Sequence, residues 1–175
     1  VRRPDAHCIA GLSRSTEEIR SLVTRLARSN GSPVLLMGES GTGKSLVAQV
    51  LHSLGRHPAE RMVTFPCRSR PDSDGREEGS DQPAALWAQV GSVGKGSIVV
   101  EDIGDATVPL QEALLSLIRN RSYRSPDSDQ DVPFKGRVIA ITRRTLEGDV
   151  AKGSFIKSLF EQLDPHRIVL IPLRK

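Results

Sequence analysis

The sequence predicts an α/β fold in which a parallel sheet is covered by helices on both faces. Five short apolar runs are strand candidates, and several are apolar at successive positions, as strands buried on both faces are. Segments with helical periodicity alternate with these runs, which is the order typical of a parallel sheet. A glycine-rich segment follows the first run directly. The five predicted strands are Val34–Met37, Met62–Phe65, Ser97–Asp102, Val138–Ile141 and Arg167–Ile171.

Helical spacing of apolar residues recurs between the predicted strands. The first helix ends at the turn residues 29–33, and the second follows the glycine-rich segment as far as Gly55. Residues 70–82 carry almost nothing apolar and predict a mobile surface loop, whereas residues 122–133 predict a projecting hairpin or loop. Trp87 is expected to be a core residue, because no other aromatic residue lies close to it in the sequence. Further helices are predicted at 84–90, 109–120 and 147–163.

Length and composition allow one domain. A chain of 175 residues can bury the core of an α/β domain without disulfides or bound metal, and it has no room for a second complete domain. Its net charge of +4 suits a polyanionic ligand but does not identify one. Cys8 and Cys67 lack metal-binding or redox spacing, so we expect reduced thiols. Because no signal peptide and no apolar run of roughly 20 residues is found, we expect a cytoplasmic protein without membrane contact.

The glycine-rich segment Gly38–Ser45 matches the phosphate-binding pattern G-x-x-x-x-G-K-[ST], known as the P-loop. Its glycines allow backbone N–H groups to approach phosphate oxygens, and the helix after it points its positive end at them. Lys44 is expected to reach the β- and γ-phosphates, and Ser45 to ligate Mg²⁺. The alternative is a glycine-rich turn that binds nothing. The predicted nucleotide-binding residues here are Glu39, Ser40, Gly41, Thr42, Gly43, Lys44 and Ser45.

Two carboxylates end the third predicted strand. In nucleotide hydrolases with a P-loop, the neighbouring strand delivers one acidic residue to Mg²⁺, and an adjacent acid polarises the attacking water. Glu101 and Asp102 stand where both tasks are performed, with Glu101 also a candidate metal ligand. The alternative is that they only open a loop before Gly104. Because ligands of parallel sheets bind at the carboxyl ends of the strands, Thr142 and Arg143 are expected at the same edge and are candidate catalytic residues.

The order of these motifs resembles the AAA+ domain of bacterial enhancer-binding proteins, the activators of sigma-54 RNA polymerase. Val34–Lys44 is similar to the family's V-L-I-x-G-E-S-G-T-G-K, and Gly96–Asp105 is similar to G-T-L-F-L-D-E-I-G-D. Gly11–Ser13 resembles the family's opening G-x-S, which implies that Ile9 and Gly11 contact the adenine base. The resemblance implies a P-loop NTPase fold of the AAA+ type over residues 1–175, a three-layer sandwich around a central parallel five-stranded sheet, without the family's helical lid.

Four departures from the family pattern fall on its catalytic parts. No G-A-F-T-G-A loop is found, so residues 68–96 are expected to be a variable insertion without the sigma-contacting loop. The family's acidic pair is reversed to Glu101-Asp102, and its T-N-R at the sensor strand reads Thr142–Arg144. The segment that supplies arginine fingers has Ile156 and Gln162 at both arginine positions. Because arginine fingers act on the transition state, we expect binding without rapid hydrolysis.

Three functions follow from these observations. The first is an ATP- or ADP-binding, Mg²⁺-dependent regulatory AAA+ domain of a bacterial transcriptional regulator, with weak or absent ATPase activity. The second is an active ATPase that remodels a transcription complex, with Asp102 polarising water and Arg143 acting as an arginine finger in cis. The third is a structural domain with a relic P-loop. The resemblance implies self-association into dimers or rings, the transcription machinery as a partner, and DNA contact only through a domain outside this chain.

Overall fold

The computed structural model describes residues 4–9, 14–29, 31–67, 82–125 and 130–172. Within these ranges the chain forms seven strands and six α-helices, together with three single turns of 3-10 helix. The strands are β1 (Val34–Met37), β2 (Met62–Pro66), β3 (Ser97–Glu101), β4 (Ser122–Arg124), β5 (Asp131–Pro133), β6 (Arg137–Thr142) and β7 (Arg167–Val169). The helices are α1 (Arg14–Ala27), α2 (Lys44–Ser53), α3 (Gln82–Val93), α4 (Val108–Asn120), α5 (Glu147–Ala151) and α6 (Lys157–Leu163).

A five-stranded parallel sheet forms the centre of the fold, as the sequence predicts. Its strands lie in the order β2-β3-β6-β1-β7, so that β1 pairs with β6 on one side and with β7 on the other. Each of these pairings is parallel. Because parallel strands bring their carboxyl ends to one edge, the residues that follow β1, β3 and β6 meet at that edge.

Both faces of the sheet are buried, which explains the continuous apolar runs. In β1, Leu35 and Met37 pack on one face, and Val34 and Leu36 pack on the other. The first face is covered by apolar residues of α3, α4 and α6. The second face is covered by α1 and α2. The sheet and its two helical layers form the expected three-layer sandwich.

The single helix predicted over 147–163 is wrong, because this segment forms two helices, α5 and α6. Gly153 lies between them with a φ of +76°, a left-handed conformation that ends helices and that glycine adopts at little cost. The N–H groups of Ser154 and Phe155 donate to the carbonyl of Asp149 at 3.0 and 3.2 Å and close the turn. This break redirects the chain so that α6 packs against α4.

Of two other predicted segments, the last strand differs from the structure in length, and residues 122–133 agree with the predicted hairpin. The last strand is shorter than predicted and ends at Val169. Residues 122–133 form the antiparallel hairpin of β4 and β5, whose residues 126–129 lie outside the described residues. None of the described helices is both long enough and apolar enough to cross a bilayer.

The region around Trp87 agrees with the prediction in part. Trp87 is half-buried and packs against the core, with its ring centroid 6.2 Å from that of Tyr123. Of the loop predicted for 70–82, residues 70–81 lie outside the described residues. The loop prediction is wrong for Gln82, which is buried at the start of α3. Its side-chain amide donates to the Cys67 carbonyl at 3.2 Å.

The two cysteines differ in exposure, and their reactivity tests whether Cys67 is buried in the core. Cys67 is 1% exposed in the core, whereas Cys8 is exposed. Burial, together with the nearby carboxylates of Asp102 and Asp105, raises the pKa of the Cys67 thiol from 9.0 to about 12, and burial is the largest cause. In mildly alkaline buffer we therefore expect Cys8 to react with a chromogenic thiol reagent in the native protein. Cys67 should react only after unfolding.

The control for this experiment is Cys8→Ser, which should leave the native protein unreactive toward the same reagent. Equal labelling rates for both thiols in the native protein would contradict the burial of Cys67.

The raised pKa of Cys67 also makes the stability of the protein depend on pH. Since the Cys67 thiol ionises near 9.0 when unfolded and near 12 when folded, its contribution to the free energy of unfolding should fall as the pH rises across that interval.

Candidate functional site

Two adjoining clefts lie at the carboxyl edge of the sheet, and together we call them the carboxyl-edge cleft. They share Ser40, Asp102 and Arg143 and have volumes of about 400 and 360 Å³. Most of the predicted phosphate-binding and catalytic residues are therefore brought together, although they come from three separate parts of the sequence. The other lining residues are Glu39, Gly41, Gly43, Lys44, Ser45, Glu101, Gly104, Asp105, Ile141, Thr142 and Arg144.

The turn between β1 and α2 depends on glycine at three positions. Gly41 and Gly43 have φ values of +80° and +85°, in the left-handed region that favours glycine. At Gly38 space is the reason, because a Cβ atom would lie 2.5 Å from the carbonyl oxygen of Leu170 and 2.8 Å from Oγ1 of Thr42. Helix α2 begins directly after this turn, so its positively polarised N-terminus lies at the cleft.

Lys44 is held inside the turn and is only 8% exposed. Its Nζ donates to the carbonyl oxygens of Gly38 at 2.7 Å and Glu39 at 2.5 Å, and it lies 3.5 Å from Oγ1 of Thr42. Burial lowers the pKa of Lys44, and the charge of Asp102 partly opposes this shift. The ammonium group is thus held by two carbonyls of the turn, and a phosphate oxygen would compete with these carbonyls for its protons.

Oxygen ligands for a divalent cation lie together in the cleft. Ser45 is exposed at the start of α2, and Glu101 is half-buried at the end of β3. Both line the same 400 Å³ volume as Asp102. Hydroxyl and carboxylate oxygens are ligands that Mg²⁺ prefers, and this ion keeps several waters when it binds through one or two protein groups. The residues present therefore fit Mg²⁺.

An ion pair joins the ends of β3 and β6. Asp102 has a left-handed backbone conformation, with φ +52° and ψ +44°. Its Oδ1 atom accepts a hydrogen bond from Nε of Arg143 at 2.9 Å. The two predicted catalytic residues are thus in direct contact, and the guanidinium of Arg143 occupies one oxygen of the carboxylate that was expected to polarise water.

Thr142, also a candidate catalytic residue, is buried at the end of β6 and lines the cleft. Its hydroxyl donates to the carbonyl of Arg144 at 3.1 Å and accepts from the N–H of Arg144 at 3.3 Å. Its carbonyl accepts from the N–H of Gly38 at 3.2 Å. These contacts tie the P-loop turn to the loop that carries Arg143, so Thr142 positions its neighbours.

Arg144 is a site residue that the sequence reasoning missed. Its side chain forms ion pairs of 3.0 Å with Asp105 and with Asp149, and it donates to the carbonyl of Gly104. These contacts connect the turn after β3 to the helix after β6. The signal in the sequence was weak, because the two aspartates lie far from each other and neither belongs to a recognisable pattern.

Of the two predicted adenine contacts, the structure describes only Ile9. Ile9 packs against the core on the α1 and α2 face, and its carbonyl accepts two hydrogen bonds from Arg20 at 3.0 and 2.6 Å. Among the described residues that line the carboxyl-edge cleft, Ile9 is absent. Gly11 lies outside the described residues.

The segment expected to carry arginine fingers is anchored to the body of the domain. The N–H of Ile156 donates to Oε1 of the buried Gln111 at 2.7 Å, and the Gln111 amide donates to the Ser154 carbonyl at 3.1 Å. Lys157, the first residue of α6, pairs with Glu161 of the same helix at 3.8 Å. These contacts direct Lys157 to its own helix.

Comparison with protein families identifies one match over most of the chain. Residues 9–169 match the family model described as the Sigma-54 interaction domain. The Nif-specific regulatory protein of Bradyrhizobium diazoefficiens is 32% identical over 97% of this chain and 30% of its own length. Nitrogen fixation protein VnfA of Azotobacter vinelandii is 32% identical over 95% of this chain and 33% of its own length. The chain therefore spans about a third of these curated relatives.

Solved structures share the fold. A crystal structure of NtrX from Brucella abortus in complex with ADP superposes with a TM-score of 0.82 at 22% identity, covering 94% of this chain and 37% of NtrX. The P-loop NTPase domain of a sigma-54 transport activator from E. coli superposes with a TM-score of 0.68 at 21% identity, covering 94% of this chain and 100% of that domain. The architecture is thus that of a P-loop NTPase domain.

The geometry of the turn yields a stability test. Because a Cβ atom at position 38 would meet the Leu170 backbone at 2.5 Å, Gly38→Ala should destabilise the protein by about 1–3 kcal/mol. A Cβ atom at Gly148, inside α5, meets nothing within 4 Å. Gly148→Ala should therefore be neutral or stabilise by up to about 1 kcal/mol. Urea unfolding of both variants measures the two effects, and equal destabilisation would contradict the close approach at Gly38.

Proposed function

Because this chain belongs to the Sigma-54 interaction domain family, we propose that it is a regulatory AAA+ domain of a bacterial transcriptional regulator that binds ATP or ADP and hydrolyses ATP slowly or not at all. The observation that carries the proposal is the position of Lys44, which is buried where a glycine-dependent turn leads into α2. The NtrX relative, whose structures include complexes with ADP and with ATP, supports a nucleotide as the ligand.

Phosphate binding rests on three groups of donors. The turn residues Ser40, Gly41 and Gly43 line one part of the cleft together with Lys44, and the N-terminus of α2 lies there as well. Each of these favours negative charge, and together they suit the two or three phosphates of a nucleotide. Ser45 and Glu101 would hold Mg²⁺, and this ion neutralises phosphate charge when bound.

Slow hydrolysis rests on what surrounds Asp102. The carboxylate is shorter by one methylene than the family's glutamate, and Arg143 already holds one of its oxygens at 2.9 Å. A misplacement of about 1 Å can reduce a rate roughly a hundredfold. The arginine-finger positions are Ile156 and Gln162, and loss of a finger removes about 10³ to 10⁵ of turnover. These changes act on the transition state, so they reduce hydrolysis far more than nucleotide affinity.

The proposal also covers the macromolecular partners of this domain. The sequence of residues 68–96 lacks the G-A-F-T-G-A loop, so we propose that this domain does not grip sigma-54 by that loop. The bound nucleotide would instead bias self-association or the arrangement of other domains in the regulator. DNA would be contacted by a separate domain outside this chain.

Isothermal calorimetry with ATP and Mg²⁺ tests the binding step. We expect measurable affinity for the wild type and at least a roughly tenfold loss in Lys44→Ala, because the variant removes a charge-assisted contact worth about 1.5–3 kcal/mol. Lys152→Ala is the matched control, since this exposed lysine lies outside the cleft lining. Negligible affinity in both the wild type and Lys44→Ala would overturn nucleotide binding.

The position of Arg143 in the same cleft as Lys44 favours a second candidate function, an active ATPase with its arginine finger in cis. Steady-state phosphate release separates the two. Under our proposal the wild type releases phosphate near background, and Arg143→Ala changes this little. Under the second candidate, release is steady and both Asp102→Asn and Arg143→Ala remove most of it, with about a 10³-fold loss for the arginine.

A further inference from the structure

A small cavity lies at the opposite edge of the sheet from the carboxyl-edge cleft. It is about 100 Å³ in volume and lies where β3 and β6 begin, beside the last turns of α1 and α2. We call it the amino-edge cavity. Strand β6 runs from Arg137 in this cavity to Thr142 in the carboxyl-edge cleft, so the two sites lie roughly 17 Å apart along one buried strand.

The lining of the amino-edge cavity is strongly cationic. It contains three arginines and two lysines, with two histidines beside them, and no carboxylate is found among the described residues that line it. Lys95 and Lys135 are exposed, whereas Arg137 is buried. Like charges so close together are unfavourable unless an anion lies among them. The cationic residues are Arg56, Lys95, Arg121, Lys135 and Arg137.

Arg137 carries a buried charge, and its hydrogen-bond partners among the described residues are all neutral. It is 6% exposed, and its terminal nitrogens donate to the carbonyls of Leu26 at 2.7 Å, Ala27 at 3.3 Å and Ser29 at 3.0 Å. Its buried Nε atom has no hydrogen-bond partner in the described part of the chain. Burial lowers the pKa of Arg137, and the charge of Arg121 lowers it further. A buried guanidinium without a carboxylate, next to a second guanidinium, is a costly arrangement.

Arg121 is fixed in a similar way. Its backbone has a φ of +53°, its guanidinium donates to the Gly31 carbonyl at 3.3 Å, and the same group lies 5.3 Å from the ring centroid of Phe134. Both of its described contacts are neutral. The guanidinium groups of Arg121 and Arg137 are therefore held in place before any ligand arrives, which reduces the entropy that binding would cost.

We propose that the amino-edge cavity binds a phosphate group, either as inorganic phosphate or as the phosphate of a small phosphorylated molecule. The charge selects an anion, and arginines are suited to bidentate contacts with phosphate oxygens. The volume of about 100 Å³ is far below the roughly 300–1,000 Å³ of sites that enclose a drug-sized ligand, so a phosphate group fits where a whole nucleotide does not. This site is independent of nucleotide binding at Lys44.

The test is a titration of the isotope-labelled chain with inorganic phosphate, followed by amide chemical shifts in two-dimensional NMR spectra. Ionic strength is kept constant with sodium chloride, because screening alone shifts exposed groups. We expect saturable shifts at Gly31, Gly96 and Gly136, which line the amino-edge cavity. Shifts at Gly41 and Gly43 report phosphate in the P-loop separately, so failure at one site is distinguishable from failure at the other.

Two double variants test whether the cationic side chains of the amino-edge cavity are responsible for phosphate binding. Replacing Lys95 and Lys135 together by glutamine should weaken phosphate binding in the cavity by roughly tenfold or more, since charge-assisted contacts are lost. The control replaces Lys152 and Lys157, two exposed lysines outside the cavity, and should leave the affinity unchanged. Both double variants remove two positive charges. Equal weakening in both would show general charge screening and overturn the proposal.

A comparison of inorganic phosphate with glycerol 3-phosphate identifies the source of the phosphate group. Equal affinity for inorganic phosphate and glycerol 3-phosphate would assign the site to phosphate itself, and tighter binding of the ester would assign it to a phosphorylated molecule. Either result supports the proposal. The absence of a saturable shift at the three cavity glycines with either ligand would overturn the proposal. A short DNA duplex is tested as well, and shifts at these glycines with the duplex alone would also overturn the proposal.

Discussion

The parallel pairing of β1 with β6 is the constraint on which the rest of the structure depends. Both strands are buried on both faces, and their register places Met37 opposite Thr142, so the turns that follow them lie side by side. The hydrogen bond from Gly38 to the Thr142 carbonyl continues this pairing into the P-loop turn. Because the core fixes the two strands, the turn containing Lys44 and the loop containing Arg143 share one cleft without needing a ligand to bring them together.

This arrangement separates the groups that we propose bind phosphate from the groups that would act in hydrolysis. The binding groups belong to the turn itself, and their positions follow from backbone geometry and from the burial of Lys44. The hydrolytic groups are side chains at the ends of β3 and β6, where Asp102 and Arg143 contact each other. An exposed ion pair of this kind adds about 0–1 kcal/mol to stability. Its importance for the proposed slow hydrolysis is that Arg143 occupies a carboxylate oxygen that would otherwise be available to polarise the attacking water.

The sequence predicts the sheet and the P-loop well, because both are encoded locally. Continuous apolar runs require burial on both faces, and the glycines of the turn specify backbone conformations that few other residues adopt. Contacts between distant segments are harder to predict. The pairing of Asp102 with Arg143 depends on a left-handed conformation at Asp102, and the role of Arg144 depends on Asp105 and Asp149 approaching it from either side. The break at Gly153 was missed, although a glycine in the left-handed conformation is a common end of a helix.

We propose that this domain binds the phosphates of a nucleotide although the groups that would act on the transition state are changed. A single-turnover experiment tests it most directly, with protein in excess over radiolabelled ATP, Mg²⁺ present and samples quenched over time. We expect nearly all ATP to be bound and the bound ATP to hydrolyse no faster than about 10⁻³ s⁻¹, the range of P-loop proteins without an arginine finger. Hydrolysis of bound ATP at about 1 s⁻¹ or faster would contradict the account, and so would ATP that stays unbound.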